Sequence, residues 1–285
     1  MAMTRALLIL VAACATTSAP PPPPPPVHNA APLPARTFTS KLHGEKLEHF
    51  EQLAASIASP CGRAHSLRTS LERDPACWRT PHALRYLERL VAADLGPDEL
   101  RKYYDGRYGA APVHAIDVSR APLVGGRGAS VHMVVFEDLE CPHCAALAPI
   151  VQQVEQTYGD RLAVHYKMFP LLRPHPHARD AAIAALAADR QGKFLAMTDL
   201  IFADQHRVSA ADREADARQL GLDVPRFLAD IANPDLGAIV DGDIAEADAL
   251  KLDHVPVVIL DGRIYDGVLD REALTDLVAE ALEAP

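Results

Sequence analysis

Apolar residues along this chain change period twice, and each change marks a different kind of element. From Lys41 onward they recur at three- and four-residue steps. Leu47, Phe50, Leu53, Ala54 and Ile57 form one such stripe, and Leu84, Leu87, Leu90 and Val91 form another. That spacing puts side chains on a single helical face. Gly96-Pro97-Asp98 ends one helix and opens the next, which carries Leu100, Tyr103 and Tyr104. The pattern predicts a small all-helical domain over residues 41–110. Beyond it, Val131-His132-Met133-Val134-Val135-Phe136 is a short, β-rich, nearly continuous apolar run, as expected of a central strand. Leu162–Met168 and Val257–Leu260 read as two further strands. The long stretch between them is helical and punctuated by Gly221 with Pro225 and by Asn233 with Pro234. Leu274, Leu277, Val278 and Leu282 supply a last amphipathic helix. The class is therefore α/β, with one domain over residues 113–285 and a helical insertion at about 172–250.

The N-terminus has a different character. Met1 to Arg5 carries one positive charge, and Ala6 to Ala13 is an uninterrupted apolar run ending at Cys14. This is the layout of an export signal, too short to span a bilayer. Val11-Ala12-Ala13-Cys14 resembles a bacterial lipobox, which implies cleavage before Cys14, lipidation of that residue and attachment to a membrane. A plain signal cleaved nearby is the alternative. Residues 15–40 include seven consecutive prolines, Pro20 to Pro26. They favour extended polyproline II at about 3 Å per residue, a semi-rigid linker.

Composition adds little beyond exclusion. The 285 residues suffice for one large or two small cores, and a net charge of −10 with no basic block argues against a nucleic-acid partner. The five cysteines say more. Apart from Cys14 they form a wide pair, Cys61 and Cys77, and a tight pair, Cys141 and Cys144. The wide pair suits a structural disulfide in an oxidising compartment, with a second redox pair or two buried thiols as alternatives. A full helix over residues 62–73 would hold the two sulfurs too far apart, so the bridge predicts a short or broken helix there.

The tight pair sits where the strand ending at Phe136 passes through Glu137-Asp138-Leu139-Glu140 into a helix carrying Leu147, Ile150, Val151 and Val154. Pro142 fits the first helical turn, which makes Cys141 the N-cap. There a thiolate can accept hydrogen bonds from unpaired N–H groups and faces the positive end of the helix dipole, with His143 adding to the effect. Cys141 is expected to be exposed and to attack first; Cys144, one turn later, is expected to be shielded and to resolve the mixed disulfide. Asp138 and Glu140 oppose the thiolate if they point at it. No second Cys-x-x-Cys completes a zinc site, His175 and His177 are expected at the surface, and no metal is expected.

Phe-Glu-Asp-Leu-Glu-Cys-Pro-His-Cys, residues 136–144, resembles the active-site segment of DsbA-like thioredoxin-fold proteins. The likeness extends through Tyr166-Lys167-Met168-Phe169-Pro170-Leu171, the Ala-rich stretch from Ala178 to Asp189, Gln191-Gly192-Lys193-Phe194, and His254-Val255-Pro256-Val257. It implies a thioredoxin-like fold with an inserted helical domain. It also implies a cis proline at Pro256 against the dithiol, preceded by Val255, the two forming the substrate-binding strand segment, and a helix kink at Pro149. The family's buried acid, six residues before the first cysteine, is Val135 here. Proton transfer at Cys144 then calls for water or another acid, with Asp138 a candidate. His254 either touches the groove or is an exposed turn residue.

These readings converge on an exported thiol–disulfide oxidoreductase of the bacterial cell envelope. It needs no cofactor beyond its redox-active disulfide, and its partners are cysteine-containing protein substrates and a redox protein that resets the dithiol. The same site run in reverse as a reductase or isomerase, and a non-catalytic metal-handling or assembly lipoprotein of this fold, are the alternatives.

Overall fold

The computed structural model describes residues 40–109, 112–265 and 267–284. The signal, the Cys14 lipobox and the proline run lie outside the described residues. Among those described, no helix is long and apolar enough to cross a membrane.

Five strands make one mixed sheet in the order β1-β3-β2-β4-β5. Strand β2 (Val131–Glu137) is central: it pairs parallel with β3 (Leu162–Met168) and antiparallel with β4 (Val257–Leu260). The short strands β1 (Leu123–Gly125) and β5 (Arg263–Tyr265) pair antiparallel with β3 and β4 and form the edges. The alternation of side chains along β2 divides the core. Val131, Met133 and Val135 join the larger apolar cluster, while Val134 and Phe136 point to a second cluster that includes both cysteines of the tight pair. With both faces covered, the strand reads as a nearly continuous apolar run from Val131 to Phe136, broken at exposed His132, and ends on buried Glu137.

Helix α5 (Pro142–Tyr158) follows β2 and contains Pro149. With α11 (Arg271–Leu282) it covers the larger cluster through Leu147, Val151, Val154, Leu274 and Val278. The insertion between β3 and β4 comprises α6 (Ala178–Asp189), α7 (Phe194–Ala203), α8 (Ala210–Gln219), α9 (Val224–Ala232) and α10 (Pro234–Ala249). The two edge strands are the elements that periodicity missed, because three residues are too few to establish a period. Asp261-Gly262 did carry a signal. Both residues have positive φ, which suits a two-residue hairpin turn, and a Cβ on Gly262 would stand 2.4 Å from the His114 carbonyl oxygen.

Among the described residues four helices precede the sheet: α1 (Glu45–Ser56), α2 (Leu67–Arg73), α3 (Thr80–Ala92) and α4 (Pro97–Tyr108). Residues 41–110 were expected as a small helical domain; the four helices belong to the same compact unit as the sheet. The reason lies in buried charge on α11. Asp276 receives His82 Nδ1 at 2.9 Å, Arg89 Nη2 at 2.9 Å and Arg85 Nε at 2.7 Å. Glu280 receives Arg79 Nε at 2.9 Å, the Tyr108 hydroxyl at 3.1 Å and the Arg107 guanidinium. Arg107 also lies over the rings of Tyr86, Tyr108 and Tyr265. Cys61 and Cys77 form a disulfide with a Cα–Cα distance of 5.8 Å. The helix between them is short, as that bridge requires: α2 has seven residues and starts only at Leu67, capped by Ser66, whose side chain accepts from the Thr69 N–H.

Candidate functional site: a dithiol at a helix N-terminus

The end of β2 delivers the dithiol. Cys141 is the N-cap of α5 in an extended conformation, Pro142 occupies the first turn, and Cys144 lies inside the helix. Both thiols are reduced. The turn that joins strand to helix closes with the Cys141 N–H donating to the Asp138 carbonyl at 3.0 Å.

Val255 and Pro256 meet the dithiol from the other side of the fold. Their peptide bond is cis, and Cys141 Sγ lies 3.9 Å from the Val255 carbonyl oxygen. The pairing of β2 with β4 causes this approach: Phe136 lies opposite Val257, so the residue before β4 arrives beside the one that follows the β2 turn. Two segments 114 residues apart are thereby joined.

The setting differs from the expected one at Cys141. It was expected to be exposed but retains only 5 % exposure, because Val255, Phe136 and Phe169 pack in the same apolar cluster. Its side chain makes no cap hydrogen bond. Cys144 is shielded, as expected, at 2 % exposure. Burial pushes its thiol far up, and the nearby Glu137 and Cys141 add to this; the Asp138 N–H, donating to Cys144 Sγ at 3.4 Å, works the other way.

The acidic residues before the dithiol divide their tasks. Asp138 Oδ1 accepts from the Glu140 N–H at 2.8 Å, and Oδ2 accepts from the Leu171 N–H at 2.7 Å and pairs with His175 Nδ1 at 2.8 Å. Its carboxylate thus organises the loop after β3. Glu140 Oε2 accepts from the His177 N–H at 2.6 Å. His175 was expected at the surface and is instead half-buried against Asp138, whereas His177 is exposed. His143 is exposed beside the dithiol, and His254 is an exposed turn residue whose ring bonds Asp253.

Glu137 is the residue that sequence reasoning passed over. It is 3 % exposed, its Oε1 has no hydrogen-bond partner, and burial, with the negative charges of Asp138 and Asp199, pushes its carboxyl up to about 8. The signal was available in the alternation of β2, which puts Glu137 on the same face as Val135.

Comparison with known proteins accords with this arrangement. A thioredoxin family model matches residues 118–280, more than half of the chain. This chain belongs to the thioredoxin family. The four N-terminal helices lie outside the match. Among solved structures, a thioredoxin-like oxidoreductase from Silicibacter pomeroyi DSS-3 is 26% identical, with TM-score 0.53 over 58% of this chain and 94% of that one. The same fold is seen in alpha-DsbA2 from Wolbachia pipientis (19% identity, TM-score 0.52, 64% of this chain and 94% of that one). It recurs in BdbD from Bacillus subtilis (15%, 0.54, 60% and 98%). Over 171 residues the chain is 33% identical to Na(+)/H(+) antiporter NhaA 1 of Mycolicibacterium gilvum (strain PYR-GCK), covering 59% of this chain and 27% of the antiporter. A second antiporter, NhaA 3 of Salinispora tropica, is 34% identical over 166 residues, covering 58% and 25%. The chain thus spans about a quarter of the length of these relatives.

Proposed function

We propose that this thioredoxin-family chain oxidises cysteine pairs of exported proteins, passing them its Cys141–Cys144 disulfide. The observation that carries this reading is the meeting of the two thiols, at the first turn of α5, with the Val255–Pro256 segment. A substrate thiolate attacks Cys141 Sγ and Cys144 leaves; the substrate's second thiolate then attacks its own half of the mixed disulfide and releases Cys141. The backbone at Val255 offers the substrate strand-like hydrogen bonds, and Leu172, half exposed on the segment that Asp138 pins, offers it apolar surface. The disulfide itself carries the electrons, so no further cofactor or metal is required, and a separate redox protein resets it.

Export has two supports: the signal-like residues 1–14 with a lipobox at Cys14, and the Cys61–Cys77 bridge, a feature of oxidising compartments. Lipidation of Cys14 would anchor the chain to a membrane, with the proline run as spacer.

The support for the oxidative direction is the place of Cys141 at the positive end of the α5 dipole with His143 beside it, which favours a reduced state carrying a thiolate although the side chain makes no cap hydrogen bond. Equilibration with glutathione is therefore expected to give a potential nearer the roughly −120 mV of strong oxidants than the −270 mV of reducing thioredoxins. His143→Ala is expected to make it more reducing. A wild-type value near about −270 mV would reverse the direction.

A further inference from the structure

The buried dithiol poses a proton problem. When the Cys141–Cys144 bond opens, the electron pair goes to Cys144 Sγ, whose 2 % exposure denies that charge the hydration it would have in water. A proton source within the fold resolves it. Asp138 is excluded, because both of its carboxylate oxygens are engaged with the Glu140 and Leu171 amides and with His175. Glu140 is turned to the His177 amide and Asp199 accepts from Gln152. Glu137 remains. It ends the row of β2 residues on the sheet face that α5 covers, its Oε1 is buried without a partner, and the next residue's amide donates to Cys144 Sγ.

We propose that the Glu137 carboxyl is the proton-exchange partner of Cys144, standing in for the family's buried acid two residues further along the same strand face. The role rests on the exchange reaction proposed above. As the substrate sulfur bonds to Cys141 Sγ and the disulfide breaks, Glu137 passes its proton to the Cys144 thiolate and becomes a carboxylate. When the redox partner's disulfide re-oxidises the pair, Cys144 returns that proton to Glu137 as its sulfur attacks Cys141. The groups that act on Glu137 are Asp138 beside it and Asp199 on α7, both negative. Cys144 on α5 and Tyr166 on β3 in turn feel its charge. Negative neighbours and burial keep the carboxyl protonated up to about pH 8, the form needed to donate.

The test is single-turnover opening of the oxidised protein by a dithiol peptide from pH 5 to pH 10, quenched with acid and read by alkylation and mass spectrometry. Wild type is expected to show an inflection near pH 8 beyond the titration of the peptide alone. Glu137→Gln is expected to lose that inflection and slow opening at least tenfold. Glu137→Asp, which keeps the carboxyl, is expected to retain it, and Asp199→Asn is expected to move it to lower pH. A folded Glu137→Gln protein with the wild-type profile overturns the proposal, as does an inflection that Asp199→Asn leaves in place. Failure of wild type itself to react with the peptide at any pH would instead overturn the exchange reading.

Discussion

At the scale of single residues the site is governed by what burial does to ionisable groups. Glu137 shows the sign of the effect. Its carboxyl titrates near 8 in the folded chain against 4.5 as a free side chain, so between those values the folded chain holds a proton that the unfolded chain has lost. Stability therefore falls as pH rises through that window. Glu137→Gln is expected to remove the fall, gaining on the order of a few kcal/mol at pH 8.5 and little at pH 4.5. Urea unfolding at the two pH values measures it. Cys141 and Cys144 are both buried but differ in position. Cys141 is the N-cap of α5, beside the Val255 carbonyl, while Cys144 lies inside the helix. Cys144→Ser is expected to accumulate mixed disulfides with substrates on non-reducing gels, and Cys141→Ser to accumulate none.

The elements owe their positions to short-range chemistry. Helix α5 starts where it does because Pro142 is tolerated in the first turn, and it ends at Gly159, whose φ is 51°. Helix α2 is short because the Cys61–Cys77 bridge joins the two sides of its turn. Closing a loop of sixteen residues constrains the unfolded chain by about 3 kcal/mol. Replacing both cysteines with Ala is thus expected to lower the Tm by roughly 6–12 °C in a unit of this size. Thiol–disulfide exchange activity should survive, because the bridge holds α2 and α3 and the dithiol stands on α5. Loss of activity in a folded double variant would make the pair an electron relay.

Across the whole molecule, the helices before the sheet are held by the acids of α11. Asp276 is kept far below the usual carboxylate range: burial opposes its charge, but the His82 and Arg85 hydrogen bonds and charges outweigh it. His82 is raised against the same opposition from burial, through its bond to Asp276. The His82 contribution is present below its ordinary value of 6.5 and is lost as pH rises through the higher folded value; that of Asp276 is present above 3.8 and lost as pH falls. The clamp is complete between those limits. Asp276→Asn is expected to cost about 3–5 kcal/mol, since it leaves buried cations unpaired. His82→Asn is expected to shrink the difference in stability between pH 6 and pH 9. Denaturant midpoints at both pH values check the pair.

The strands β2, β3 and β4, the stripes of the N-terminal helices, the N-cap at Cys141 and the redox motif were all legible from sequence, because each depends on neighbours a few residues away. Resemblance supplied the cis bond at Pro256, which no local period encodes. Only the tertiary structure decided that residues 41–110 join the sheet unit, that His175 serves Asp138, that Cys141 is covered, and that Glu137 is the unpaired acid. Each of these depends on which distant groups share a buried volume. Desolvation and charge pairing act through space, and a sequence lists its residues in one dimension.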